Sequence, residues 1–219
     1  MKLQTLRRTG GIAVAVLTLS LGLAACGDDD NGGSDASDDT SSSAPADAMG
    51  DEADPAAQTF GPGCSQIPTS GDGSFTGMVQ DPVGTAASTN PVLKTLTAAV
   101  GAVEGLGDTL NSAEGLTVFA PADPAFAEIP KADLTALLDG AAKDGLKSDL
   151  ATVLTYHVVE GQLDPASVVG EQTTLQGDPV TVEGDESGMT VNGANVLCGN
   201  IPTANATVYV IDTVLSPAA

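Results

Sequence analysis

Tryptophan is absent from this 219-residue chain, and its only other aromatic carbocycles are four phenylalanines and two tyrosines. A stacked aromatic platform for sugar rings therefore lacks its parts. Cations are scarce as well: seven Lys and Arg stand against 29 Asp and Glu, a formal net charge of −22. Nothing in such a chain can neutralise a row of phosphates, which excludes nucleic acid as a partner. His157 is the only histidine, so any histidine chemistry must pass through it. No Gly-x-Ser-x-Gly elbow, clustered metal ligands or phosphate-cradling glycine motif appears. Asp185 and Glu186 fall in a hairpin turn, where solvation accounts for them. No catalytic residue, metal or cofactor is expected, and the chain does not read as an enzyme.

A hydrophobic run long enough to span a bilayer is also missing. Ile12–Leu23 is apolar but falls short of the roughly 20 residues a membrane core needs. Lys2, Arg7 and Arg8 precede it, and Leu23-Ala-Ala-Cys26 closes it with small residues and a thiol. Residues 1–25 are thus expected to be a bacterial lipoprotein signal peptide, with Cys26 the lipidation site. The alternative is ordinary cleavage near Ala25 beside an incidental cysteine. Acyl chains on Cys26 would hold the protein at the outer face of the cell membrane, each buried methylene contributing about 0.8 kcal/mol; an extracellular released form is the second fate. Loss of the three N-terminal cations takes the formal charge from −22 to −25.

Residues 26–63 are expected to be a lipidated, disordered acidic linker. From Gly27 to Gln58 the composition is Asp, Ser, Gly, Ala and Pro with no basic residue, too little apolar surface to repay ordering. Asp28, Asp29 and Asp30 read as a solvated charge run, and Thr40–Ser43 as a candidate for attached sugar. With Cys26 acylated, Cys64 and Cys198 remain in an oxidising compartment. They are expected to pair, the alternative being two separate buried thiols.

From Cys64 onward the chain reads as one domain, residues 64–219. Asn90-Pro91 marks a helix start, followed by Leu93, Leu96, Val100, Val103, Leu106 and Leu110 at helical spacing, with Gly101, Gly105 and Gly107 weakening the second half. Leu134, Leu137 and Leu138 mark another helix. Leu150, Val153, Leu154 and Val158 mark a third, started by Ser148. Between them lies Leu116-Thr-Val-Phe-Ala-Pro-Ala-Asp-Pro-Ala-Phe126. Its alternation predicts a strand with one buried face, stopped at Pro121. Asp123-Pro124 reads as an N-cap followed by proline at the first helical position. Later come the short strands Thr173–Gln176, Pro179–Glu183 and Met189–Val191. An Asn192-Gly193 hairpin follows, returning through Ala194–Leu197, and the last strand or two lies within Thr207–Leu215. Helices first and a meander second describe an α+β domain.

The Leu116–Phe126 corner resembles the first signature block of the fasciclin (FAS1) domain, a family of extracellular adhesion modules. Leu154-Thr-Tyr-His-Val-Val-Glu-Gly161 resembles its Tyr-His segment, and Ala206–Pro217 its second block. Cys64, Cys198 and Met78-Val-Gln-Asp-Pro-Val83 are similar to the family's mycobacterial secreted and lipid-anchored antigens. The resemblance implies a fasciclin-like β-sandwich with helices packed along its edge. It also makes Tyr156 and His157 candidate partner-binding residues, although His157 sits on the apolar stripe of its helix, where a core ring is the plainer reading. The implied function is adhesion to host-matrix or cell-envelope components, a protein or glycan, by a monomer. The alternative is a carrier of a lipid or other apolar small molecule. Asn205-Ala-Thr207 matches a glycosylation sequon that a bacterial setting discounts.

Overall fold

The strand read at the corner forms as Leu116–Pro121 (β1) in a computed structural model that describes residues 54–217. All six of its residues are buried. The alternation thus separates two dry environments rather than a buried and a wet face, as befits a strand covered on both sides. Leu116, Val118 and Ala120 meet helices, whereas Phe119 points into the interior of the sheet. The remaining strands are Val158–Glu160 (β2), Gly170–Thr173 (β3), Pro179–Glu183 (β4), Thr190–Val191 (β5), Ala194–Pro202 (β6) and Ala206–Ile211 (β7).

The strand order is β2-β1-β7-β6-β5-β4-β3. β1 and β7 run parallel from Leu116↔Ala206 to Pro121↔Ile211, and every other pairing is antiparallel. The two edge strands then meet. Val159 bridges Thr174, and the Leu175 N–H donates to Val158 O at 2.7 Å. The sheet is folded onto itself around Phe119, Val168, Val180, Val182, Val191, Tyr209 and Ile211, which are at most 1% exposed. A second core lies on its other side, where helices cover Leu116, Val118, Cys198, Ile201 and Val208. This is an α+β sandwich with its helices packed to one side.

Those helices are Phe75–Met78 (α1), Val83–Thr89 (α2), Lys94–Ala102 (α3), Leu106–Ser112 (α4), Asp123–Ala127 (α5), Lys131–Asp144 (α6) and Asp149–Tyr156 (α7). The long helix read from Asn90 is broken in two. Gly105 takes a left-handed φ of 82°, which interrupts the ladder between α3 and α4. Asn90 makes a local turn instead, its Oδ1 accepting from Val92 N at 3.1 Å. Nor does Asp123 cap its own helix: its carboxylate accepts from Thr95 N at 2.7 Å and closes the first turn of α3. Ser148 does cap α7, accepting from Ala151 N at 3.2 Å. Val158, read as the end of that helix, opens β2.

The ordered fold starts earlier than Cys64. Pro55–Gln58 and Pro62–Gln66 form 3-10 turns, where a linker was expected to run to residue 63. Phe60 explains the difference. It exchanges both backbone hydrogen bonds with Gly199, at 3.3 and 2.8 Å, and its ring sits edge-on to Tyr209 at 6.3 Å. Gly199 permits this approach, since a Cβ there would lie 2.4 Å from the Phe60 ring. The Asn200 amide donates to Gln58 O at 2.9 Å. Next to this strap Cys64 and Cys198 form a disulfide spanning 134 residues, with Cα atoms 4.8 Å apart.

Candidate functional site

Tyr156 and His157 lie where α7 gives way to β2, and neither ring faces solvent. His157 is 2% exposed. Its Nδ1 is 2.7 Å from Val153 O, and its Nε2 is 2.9 Å from the amide nitrogen of Leu215. A carbonyl can only accept and an amide N–H can only donate, so Nδ1 carries the proton and the ring is neutral. Burial holds its pKa down at about 4, partly offset by the bond to Val153. Tyr156 is 4% exposed. Its hydroxyl donates to Pro179 O at 3.1 Å and accepts from the Asn192 amide at 2.8 Å, tying α7 to the β4–β5 hairpin. The pair brought forward as candidate recognition residues is a set of internal braces. A partner approaching the surface meets neither side chain.

Beside His157 lies an apolar cavity of about 60 Å³, walled by Val83, Leu96, Val100, Leu110, Phe119 and Leu154. A larger feature opens at the surface, a groove of about 550 Å³ where β1 begins and β2 ends. Ala113, Gly115, Leu116 and Gly161 line it together with Leu175, and Glu114, Glu160 and Gln162 stand along it. Glu114 and Glu160 are exposed, and Leu175 is 39% exposed. The two walls are fixed to each other: Gly161 N donates to Gly115 O at 3.0 Å, and Leu116 pairs with Glu160.

Two polar residues brace this end in a way that the sequence does not signal. Thr117, fully buried, donates to Gly161 O at 2.7 Å and accepts from Leu163 N at 3.0 Å. Asn205 accepts from Val83 N at 2.8 Å and donates to Leu110 O at 2.8 Å and Ala113 O at 3.0 Å. The nitrogen a sequon would glycosylate is thus committed to the end of α4, while the side-chain oxygen holds the start of α2. A strand that alternates around one threonine, or an asparagine before a strand, carries no signal that separates these braces from ordinary surface polar groups. Cys26 lies outside the described residues. Among the described residues, no three His, Cys, Asp or Glu side chains come together as a metal site. Asp164 and Asp185 have pKa values lowered by hydrogen bonds from Ser167 and Ser187; both are fully exposed turn residues.

Residues 91–217 match the Fasciclin domain family. The chain is 48% identical over 178 residues to the cell surface glycolipoprotein MPB83 of Mycobacterium bovis, covering 76% of each chain. It is 48% identical over 172 residues to the immunogenic protein MPB70 of the same species, covering 75% of this chain and 85% of that protein. Among solved structures it is similar to a FAS1 domain pair from the insect cell adhesion molecule Fasciclin I, with a TM-score of 0.52 at 16% identity. That likeness covers 64% of this chain and 52% of the domain pair, about half its length, and it concerns the fold alone. With its corner strand, its folded sheet and this extent of shared sequence, the chain belongs to the Fasciclin domain family.

Proposed function

We propose that this protein is a non-enzymatic interaction module displayed at the outer face of a bacterial membrane. A lipid on Cys26 anchors it, and the acidic stretch after Cys26 joins that anchor to the domain. The domain binds protein or glycan components of the envelope or of a host matrix through its surface. The observation that carries this reading is the 48% identity to a cell surface glycolipoprotein across three-quarters of the chain, joined to the Leu23-Ala-Ala-Cys26 sequence. Surface binding is favoured over carriage of an apolar molecule by size. The cavity beside His157 offers about 60 Å³, whereas ligand pockets usually run to about 300–1,000 Å³, and the groove of about 550 Å³ that falls in that range is open to solvent and edged by Glu114 and Glu160.

Two measurements test the reading. Mass spectrometry of the protein extracted from membranes should find an acylated Cys26 at the N-terminus, and Cys26→Ala should shift the protein to the medium. Affinity capture with the mature chain should enrich envelope or matrix components. An unacylated Cys26 overturns the anchor, and recovery of bound lipid instead of a surface partner overturns the interaction module in favour of a carrier.

A further inference from the structure

The open groove at the start of β1 brings together an exposed aliphatic side chain, Leu175, and two exposed carboxylates, Glu114 and Glu160. Of the large apolar residues left exposed among the described residues, Leu146, Val169 and Leu175, it is Leu175 that lines this groove. The walls are held by the ladder between β1 and β2 and by Thr117 beneath them, so the groove is formed before any partner arrives. Strand pairing is not the means of recognition here, because β2 and β3 already close on each other through Val159 and Thr174. Side chains must do the work.

Charge decides what fits. Nine of the 29 acidic residues and three of the seven basic ones precede Asp54, leaving 20 against four in the described region. A second copy therefore brings mainly like charge to Glu114 and Glu160. The chain's own Gly27–Gln58 stretch has no cation at all. An anionic bilayer surface is repelled for the same reason. A long basic side chain suits both parts of the site, since its methylene stem covers aliphatic surface while its head group reaches a carboxylate.

We propose that this groove docks a lysine- or arginine-bearing extended segment of a partner protein, with the aliphatic stem on Leu175 and the cation between Glu114 and Glu160. This rests on the reading of the protein as a surface interaction module and adds its face and the chemistry of its partner.

The test uses the mature chain and a synthetic Gly-Lys-Leu-Ser-Lys-Leu-Gly peptide, followed by amide chemical shifts at low and high salt. Binding should perturb Gly115, Gly161 and Leu175 and weaken with salt. The double variant E114K/E160K should bind about tenfold more weakly. E183K/E186K makes the same charge change at the opposite end of β4 and should alter binding less than about twofold. Leu175→Ser keeps the rim and should cost about threefold in affinity. All of these positions are exposed, so melting temperatures should match the parent. Equal weakening by both double variants means diffuse attraction and overturns the groove, as do shifts elsewhere or no binding. Envelope capture that survives E114K/E160K sinks the groove alone. Peptide binding without any envelope or matrix capture sinks the wider reading.

Discussion

Acidification should destabilise this domain through His157, in a window set by its burial. The unfolded chain takes a proton on this imidazole near pH 6.5, the folded chain near pH 4. Between those values the unfolded state holds more protons, so stability falls as pH falls from 6.5 to 4 and is unaffected by this group above 6.5. At about 1.4 kcal/mol for each unit, the interval is worth about 3 kcal/mol. The structural cause is specific: a proton on Nε2 would face the Leu215 N–H and strip the tail of its acceptor. Repulsion among the acidic residues relaxes over the same range and acts in the opposite direction. The informative quantity is therefore a difference. Urea unfolding of the parent and of His157→Gln should be compared at half-unit steps from pH 7 to 4. Glutamine can keep an acceptor for Leu215 but does not titrate. The gap between the two curves should narrow by about 3 kcal/mol on acidification. Asp164 and Asp185, held below the usual carboxylate range, lose their contribution only at lower pH, outside this window. Parallel curves would show that His157 is not a buried neutral imidazole, and the account of the α7–β2 corner would fail with it.

Other sites give independent checks. Reducing Cys64–Cys198, or replacing both residues by alanine, should cost about 4–5 kcal/mol on the chain-entropy view of a loop of this length, read as a lower urea midpoint. Gly61→Ala should cost at least about 2 kcal/mol by the same assay. Gly61 has φ 108°, and its Cβ would fall 2.4 Å from Leu197 O, which is backbone and cannot turn aside. Asn205→Ala should cost about 2–3 kcal/mol, because it orphans Val83 N–H together with the carbonyls of Leu110 and Ala113. Amide exchange in that variant should rise first at the start of α2; unchanged protection there would refute the brace.

What the sequence makes legible follows from how local the cause is. The corner at Leu116–Pro121, the Ser148 cap and the Asn192-Gly193 turn are each written within a few residues, and each forms. Asn192 and Gly193 take φ of 46° and 84°, as a tight hairpin requires. Causes that act across the chain are not legible. Asp123 obeys the rule for an N-cap, yet its acceptor serves α3, some thirty residues back. Phe60 lies at the end of a low-complexity stretch and looks like linker until Gly199 provides a surface without a side chain. The spacing of His157 points to the apolar face of its helix, but only Pro179, Asn192 and Leu215 show how both polar heads can be buried. The groove could not be foreseen at all. Glu114, Glu160 and Leu175 are ordinary surface residues until the ladder between β1 and β2 and the turn after β3 bring them together.

The disulfide also decides how the domain bears load. Tension applied between the two chain ends passes from Cys64 straight into Cys198 on β6, bypassing the 133 residues between them. While the bond is intact those residues cannot be paid out, which keeps roughly 450 Å of extended chain in reserve at about 3.4 Å per residue. Pulling can peel off the strap at Phe60, but β1, the helices and the groove lie inside the locked loop. A fasciclin module pulled between its two ends would thus yield first at the strap, ahead of everything inside the loop that the bond closes.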